Sequence, residues 1–155
     1  MTDQRHEIAL KDDEATARLG RTLAEMVRPG GVIALKGDLG AGKSTLARAL
    51  IRKLLQNEDL EVPSPTFTIV LTYEAEHLPI WHFDLYRLED EQDLPELGFE
   101  DSQDGLALIE WPERMGHSLP KWRLDLELEI VSDGRIAHIV GYGPEWSERI
   151  DSLKN

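Results

Sequence analysis

Eight consecutive residues, Gly37-Asp38-Leu39-Gly40-Ala41-Gly42-Lys43-Ser44, have the types and spacing of a loop that wraps phosphates, G-x-x-x-x-G-K-[ST]. A triphosphate crowds several negative charges together, and each part of the run answers that. Glycines let the backbone curl with positive φ and aim successive N–H groups inward. Lys43 supplies a mobile point charge for the β- and γ-phosphates. The Ser44 hydroxyl is the kind of hard oxygen that Mg²⁺ takes alongside phosphate oxygens.

Such a loop follows a buried strand and opens a helix. Gly31-Val32-Ile33-Ala34-Leu35-Lys36 is a short apolar run after the breaker Pro29-Gly30-Gly31, which predicts a buried strand. Residues 44–56 then place Leu46, Ala49, Leu50, Lys53 and Leu54 at helical spacing, with Arg48 and Arg52 outward. The positive end of that helix faces the phosphates.

Gripping a nucleotide is half of a reaction; hydrolysis or transfer needs a second metal anchor and a group that positions the nucleophile. Leu106-Ala107-Leu108-Ile109-Glu110 is the candidate anchor, four apolar residues that bury a strand beside the loop strand and end in an acid. Ligands of open α/β sheets gather at that carboxyl edge. Glu110 can hold Mg²⁺ directly or through water, or polarise an attacking water; the alternative is an ordinary acid at a strand end. In His82-Phe83-Asp84-Leu85-Tyr86-Arg87, alternation places His82, Asp84 and Tyr86 on one face, toward a phosphate, a metal-bound water or a partner. No third and fourth ligand stands at a spacing that would make His82 and Asp84 a zinc site. Ser64-Pro65-Thr66-Phe67-Thr68 follows the loop helix where nucleotide switches sense the γ-phosphate; a rigid turn leading into a strand is the other reading.

The elements that must position these groups are legible in outline. Residues 11–27 predict an amphipathic helix with Ala15, Leu19, Leu23 and Val27 on one stripe and Asp12 or Asp13 as its cap. Residues 66–73 and 79–86 predict two strands of a hairpin, with a turn over 74–78. Residues 90–97 predict a short acidic helix or turn stopped by Gly98. Residues 122–131 alternate leucines and Ile130 against Arg123, Asp125, Glu127 and Glu129, a strand with one wet face. Asp133-Gly134 turns the chain into a returning strand over 135–142, and 145–153 predicts a terminal helix. The fold class expected is α/β: a single P-loop NTPase domain over 1–155, with a parallel core sheet and an antiparallel C-terminal part.

Seventeen basic against 30 acidic residues leave a net charge of −13. Nucleic-acid affinity comes largely from neutralised phosphates, so direct strong binding of RNA or DNA is not expected, nor is attraction to an anionic membrane. A macromolecular partner is then a protein. The absence of cysteine rules out disulfides, thiolate metal sites and cysteine catalysis. The polar N-terminal residues lack the apolar core of a signal peptide, and no run of 18 apolar residues occurs, so a cytoplasmic protein is expected.

Gly37-Asp38-Leu39-Gly40-Ala41-Gly42-Lys43-Ser44-Thr45, Ser64-Pro65-Thr66-Phe67-Thr68, His82-Phe83-Asp84-Leu85-Tyr86-Arg87-Leu88 and Glu110-Trp111-Pro112-Glu113 occur together in this order. In order, spacing and total length the chain resembles the TsaE family, bacterial P-loop ATPases of tRNA threonylcarbamoyladenosine biosynthesis. The second pair of stretches is far more specific than the phosphate loop. Many members carry Thr where Ser44 stands, and either hydroxyl can ligate Mg²⁺. The resemblance implies that residues 38–45 hold ATP or ADP, that Ser44 and Glu110 serve Mg²⁺, that Lys43, Asp84 and Glu110 form the catalytic constellation, and that Trp111 lies beside the nucleotide. It further implies that the stretch from Asp13 to Thr16 borders the base and that Arg135 is a nucleotide-proximal arginine. Its implied partners are TsaD and TsaB, with the ATPase cycle supporting turnover of a threonylcarbamoyl transfer that the sugar-kinase-like partner performs. The rival reading is a P-loop small-molecule kinase, which would need an acceptor pocket and usually an Arg-rich lid; Arg87, Arg114 and Arg135 are instead scattered. A GTP switch would need an Asn-Lys-x-Asp guanine reader, which the chain lacks. A nucleotide-binding module that hydrolyses little by itself is a variant of the first reading.

Overall fold

The strand that feeds the phosphate loop lies at the centre of a seven-stranded sheet. A computed structural model describes residues 4–65, 69–76, 78–151 and 153. In chain order the strands are β1 (Gln4–Leu10), β2 (Val32–Lys36), β3 (Val70–Ala75), β4 (Leu78–Asp84), β5 (Leu106–Glu110), β6 (Arg123–Val131) and β7 (Gly134–Tyr142). The helices are α1 (Asp13–Ala24), α2 (Lys43–Leu55) and α3 (Pro144–Ile150). Spatial order is β1-β7-β6-β2-β5-β4-β3. β6, β2, β5 and β4 run parallel, which explains why β2 and β5 are continuous apolar runs: both of their faces are covered.

One face packs against α1 and α2, where Leu19, Leu23, Leu46 and Leu50 meet Ile33, Leu35, Ile80, Leu108 and Leu126. On the other, Phe83, Ala107 and Ile109 meet Leu94, Phe99 and Met115 from short 3₁₀ segments. α1 spans Asp13–Ala24, inside the expected 11–27; Asp12 caps its start, its Oδ1 accepting from Ala15 N at 2.8 Å. α1 and α2 touch at Gly20, where a Cβ would stand 2.6 Å from Leu46 O. Leu46, Ala49 and Leu50 of the expected α2 stripe are buried, Ala47 and Ile51 widen it, and Lys53 is exposed.

Antiparallel pairing is not confined to the C-terminal part. The β3–β4 hairpin closes one edge, and β7 followed by β1 closes the other. β1 arises from the polar N-terminal residues read above only for the lack of a signal sequence. Edge strands tolerate such charge, and pairing with β7 supplies the order that composition does not. The turn expected over 74–78 is shorter, with β3 reaching Ala75 and β4 starting at Leu78. Residues 66–68 of the expected strand and switch-like segment lie outside the described residues. On β6, Asp125 is buried on the nominally wet side, paired with Arg123 Nε at 2.7 Å and Lys36 Nζ at 3.4 Å. Ile130, expected on the dry face, is 49% exposed near the end of the strand.

His138 on β7 ties this edge together, with Nε2 2.8 Å from Glu129 and Nδ1 3.1 Å from Glu7 on β1. The Glu129 hydrogen bond raises the His138 pKa above 6.5, outweighing partial desolvation, and the charge of Glu7 adds to it. A folded-state pKa above the unfolded one gives stability that is complete below about 6.5 and is lost as pH rises through the raised value. The unfolding free energy of the native chain, from urea titrations, should therefore fall between about pH 5.5 and about pH 8.5 by more than that of His138→Gln, the excess being at most about 1 kcal/mol for so exposed a pair. Equal slopes would remove His138 from the linkage.

Candidate functional site

β2 ends at Lys36, and the chain turns at once to start α2 at Lys43. Gly37 permits the first bend: at φ 144° a Cβ would lie 2.8 Å from Leu128 O of β6. Gly42 caps α2 at φ 109° with no side-chain hydrogen bond, and no acidic residue stands in the helix's first turn. The uncapped N–H groups and the positive end of the helix dipole are thus left for an anion. Asp38 O accepts from Ala41 N at 3.0 Å, which sets the turn, while Leu39 at its tip is 80% exposed. Arg135, at the start of β7, braces the loop from behind: Nε donates to Ala41 O at 3.1 Å and Nη2 to Gly40 O at 3.0 Å.

Lys43 is only 6% exposed, and its Nζ sits 4.2 Å from the centroid of the Trp111 ring. Trp111 holds a left-handed backbone at φ 59° as the chain leaves β5, and its ring tilts against Tyr86 at 4.9 Å. An aromatic face is a favourable seat for an ammonium.

The acids arrive from neighbouring parallel strands. Asp84 on β4 stands level with Glu110 on β5, and alternation puts both on the face that carries α1 and α2. Asp84 Oδ1 accepts from Tyr86 N at 3.1 Å, an Asx turn that ends β4. Tyr86 therefore leaves the face that strand alternation gives it beside His82 and Asp84, and half of it is exposed. His82 remains, buried, its Nε2 2.7 Å from Glu110 Oε2. That contact joins residues 28 apart and was not singled out from sequence; the alternation that placed His82 with Asp84 was its one signal.

A cleft of about 370 Å³ gathers Asp13, Leu39, Gly40, Gly42, Lys43, Ser44, Thr45, Asp84, Glu110, Trp111 and Arg135, together with Ser64 from the switch-like segment. Of the remaining candidates, Asp38 and Ala41 shape the loop from within. Thr16 is buried beneath it, its methyl 3.5 Å from where a Cβ on Gly42 would stand. The donors facing one another across this cleft are a hydroxyl, two carboxylates, an ammonium and main-chain amides. All are hard groups of the kind that suit a polyphosphate with Mg²⁺. A larger groove of about 990 Å³ over α1 and α2 shares only Thr45 with the cleft and holds neither Lys43 nor either acid, so it is not where this chemistry converges. Among the described residues no helix is long and apolar enough to cross a membrane.

The profile of one protein family, described as threonylcarbamoyl adenosine biosynthesis protein TsaE, matches residues 10–137. A Rickettsia felis protein named tRNA threonylcarbamoyladenosine biosynthesis protein TsaE is 36% identical over 149 residues, covering 95% of this chain and 86% of its own. Proteins of the same name from Nostoc and Bacillus subtilis are 43% identical over 118 residues and 36% over 122; these cover 73% and 77% of this chain and 72% and 75% of theirs. The crystal structure of Bacillus subtilis YdiB superposes with a TM-score of 0.77 at 25% identity, over 98% of this chain and 94% of that one.

Proposed function

Because the chain belongs to the TsaE family, P-loop nucleotide-binding proteins of tRNA threonylcarbamoyladenosine biosynthesis, we propose that it hydrolyses ATP as an accessory subunit of the complex that makes this modification, in the cytoplasm and with TsaD and TsaB as its partners. The observation that carries the reading is the convergence of the phosphate loop, Lys43, Asp84 and Glu110 on one cleft at the carboxyl edge of parallel strands.

The loop amides and the start of α2 receive the phosphates, and Lys43 offsets charge on the β- and γ-phosphates. Ser44 and Glu110 hold Mg²⁺, which when bound neutralises charge on the phosphate oxygens. Asp84 orients the attacking water; the water oxygen bonds to the γ-phosphorus as the bond to the bridging oxygen breaks, and the water's protons leave with the phosphate or pass to solvent, giving ADP and phosphate. Asp13 lines the cleft and borders the base, and Trp111 offers an aromatic wall beside Lys43. The acidic chain suits docking on proteins and leaves tRNA contact to the partners.

Steady-state ATPase assays of the chain alone, with each partner, and with both should give a slow basal rate that rises roughly tenfold or more with TsaD and TsaB together, a change of about 1.4 kcal/mol in barrier per tenfold. A rate indifferent to both partners, or phosphate appearing on a small-molecule acceptor in a parallel screen, would replace this reading with the kinase one.

A further inference from the structure

The contact between His82 and Glu110 is the most buried polar pair in the molecule's chemical centre, with side chains 2% and 5% exposed. A carboxylate oxygen only accepts, so the imidazole donates from Nε2. His82 Nδ1 meets no hydrogen-bonding partner among the described residues. Among the described residues the ring's one polar tie is therefore Glu110. The sheet builds this contact: β4 and β5 place His82 level with Leu108 and Asp84 level with Glu110, so the imidazole reaches diagonally to the acid two residues further on. A glutamate side chain has three torsions, and the hydrogen bond at Oε2 removes much of that freedom. Oε1 is then the oxygen left for the cleft that Glu110 lines.

We propose that His82 is a positioning residue: its Nε2–H holds the Glu110 carboxylate in the orientation that serves Mg²⁺ or the attacking water. Partners that hydrogen-bond a ligating carboxylate from behind typically contribute 10–100-fold in metal affinity or activity. The inference rests on the role of Glu110 given under Proposed function, and His82 itself does not line the cleft.

Three measurements test it. In the nucleotide-free protein, ¹⁵N shifts of the His82 ring should show a proton on Nε2; a ring protonated on Nδ1 alone would overturn the proposal without any variant having to fold. In ATPase assays with TsaD and TsaB, His82→Phe, which keeps a ring but no donor, should lower kcat roughly 10–100-fold and raise the Mg²⁺ needed for half-maximal rate. KM for ATP should stay within about threefold, and His82→Gln, which restores an N–H near the Nε2 position, should recover most of the loss. In an E110Q background the same His82→Phe change should alter kcat by less than about threefold, because a residue that acts through Glu110 has nothing left to position. Full additivity of the two changes, or no rescue by glutamine, would make His82 structural only. A His82→Phe chain with native kcat beside an impaired E110Q chain overturns this inference alone; E110Q at the native rate overturns the assignment of Glu110 and this inference with it.

Discussion

Replacing Lys43 with alanine should weaken ATP binding about a hundredfold and leave the fold standing. A charge-assisted hydrogen bond from a largely desolvated ammonium is worth about 1.5–3 kcal/mol, which at its upper end is about two decades in Kd. Lys43 is almost buried, so its charge acts in a medium that screens it less than water does. The stability cost is small because two effects oppose each other. The alanine forfeits the ammonium's contact with Trp111, 4.2 Å from the ring centroid, worth about 0.5–2 kcal/mol. It also removes a positive charge from the first turn of α2, where the helix dipole disfavours cations by about 0.3–1 kcal/mol. Titration calorimetry with ATP and Mg²⁺, run beside a thermal melt, separates the two. An unchanged Kd in a folded Lys43→Ala chain would take the loop out of the mechanism.

Glu110→Gln and Asp84→Asn should each cut hydrolysis by about 10²–10³ in the presence of both partners, the range for losing a positioned catalytic group, while ATP affinity stays within a few-fold. Both replacements keep size and local hydrogen bonding. Asn at 84 can still accept from Tyr86 N through its amide oxygen and so preserve the turn that ends β4. Gln at 110 can still accept from His82 Nε2. What each removes is negative charge, so a lost rate with binding retained points to chemistry. Native rates in both variants would mean that the two acids, although level on adjacent strands, do not act on the nucleotide.

The expected chemistry was most legible where it is local. The phosphate loop, the apolar strand before it and the helix after it are one continuous stretch of chain, and their local order follows from glycine freedom, apolar runs and helical spacing. The β6–β7 hairpin was equally readable from alternation and Asp133-Gly134. Errors fell where a neighbour overrules local pattern. Alternation alone keeps Tyr86 beside Asp84, but the Asp84 side chain captures its backbone N–H and bends the chain. Helical spacing found the centre of the buried stripe of α2 but not its edges, which take in Ile51 and leave out Lys53. The N-terminal strand has little apolar signal of its own, and β7 alone gives it a register.

By itself the sequence determined the candidate phosphate loop of this protein, because eight adjacent residues contain every group that such a loop requires. It also named the two candidate acids without joining them. Only the tertiary structure set β4 beside β5 in parallel, brought Asp84 level with Glu110, seated Lys43 on Trp111 and turned Arg135 onto the loop carbonyls from 94 and 95 residues away. Parallel strands cannot pair through a short turn. Their order and register come from packing between distant segments, and no window of residues short enough to read as a motif contains that information.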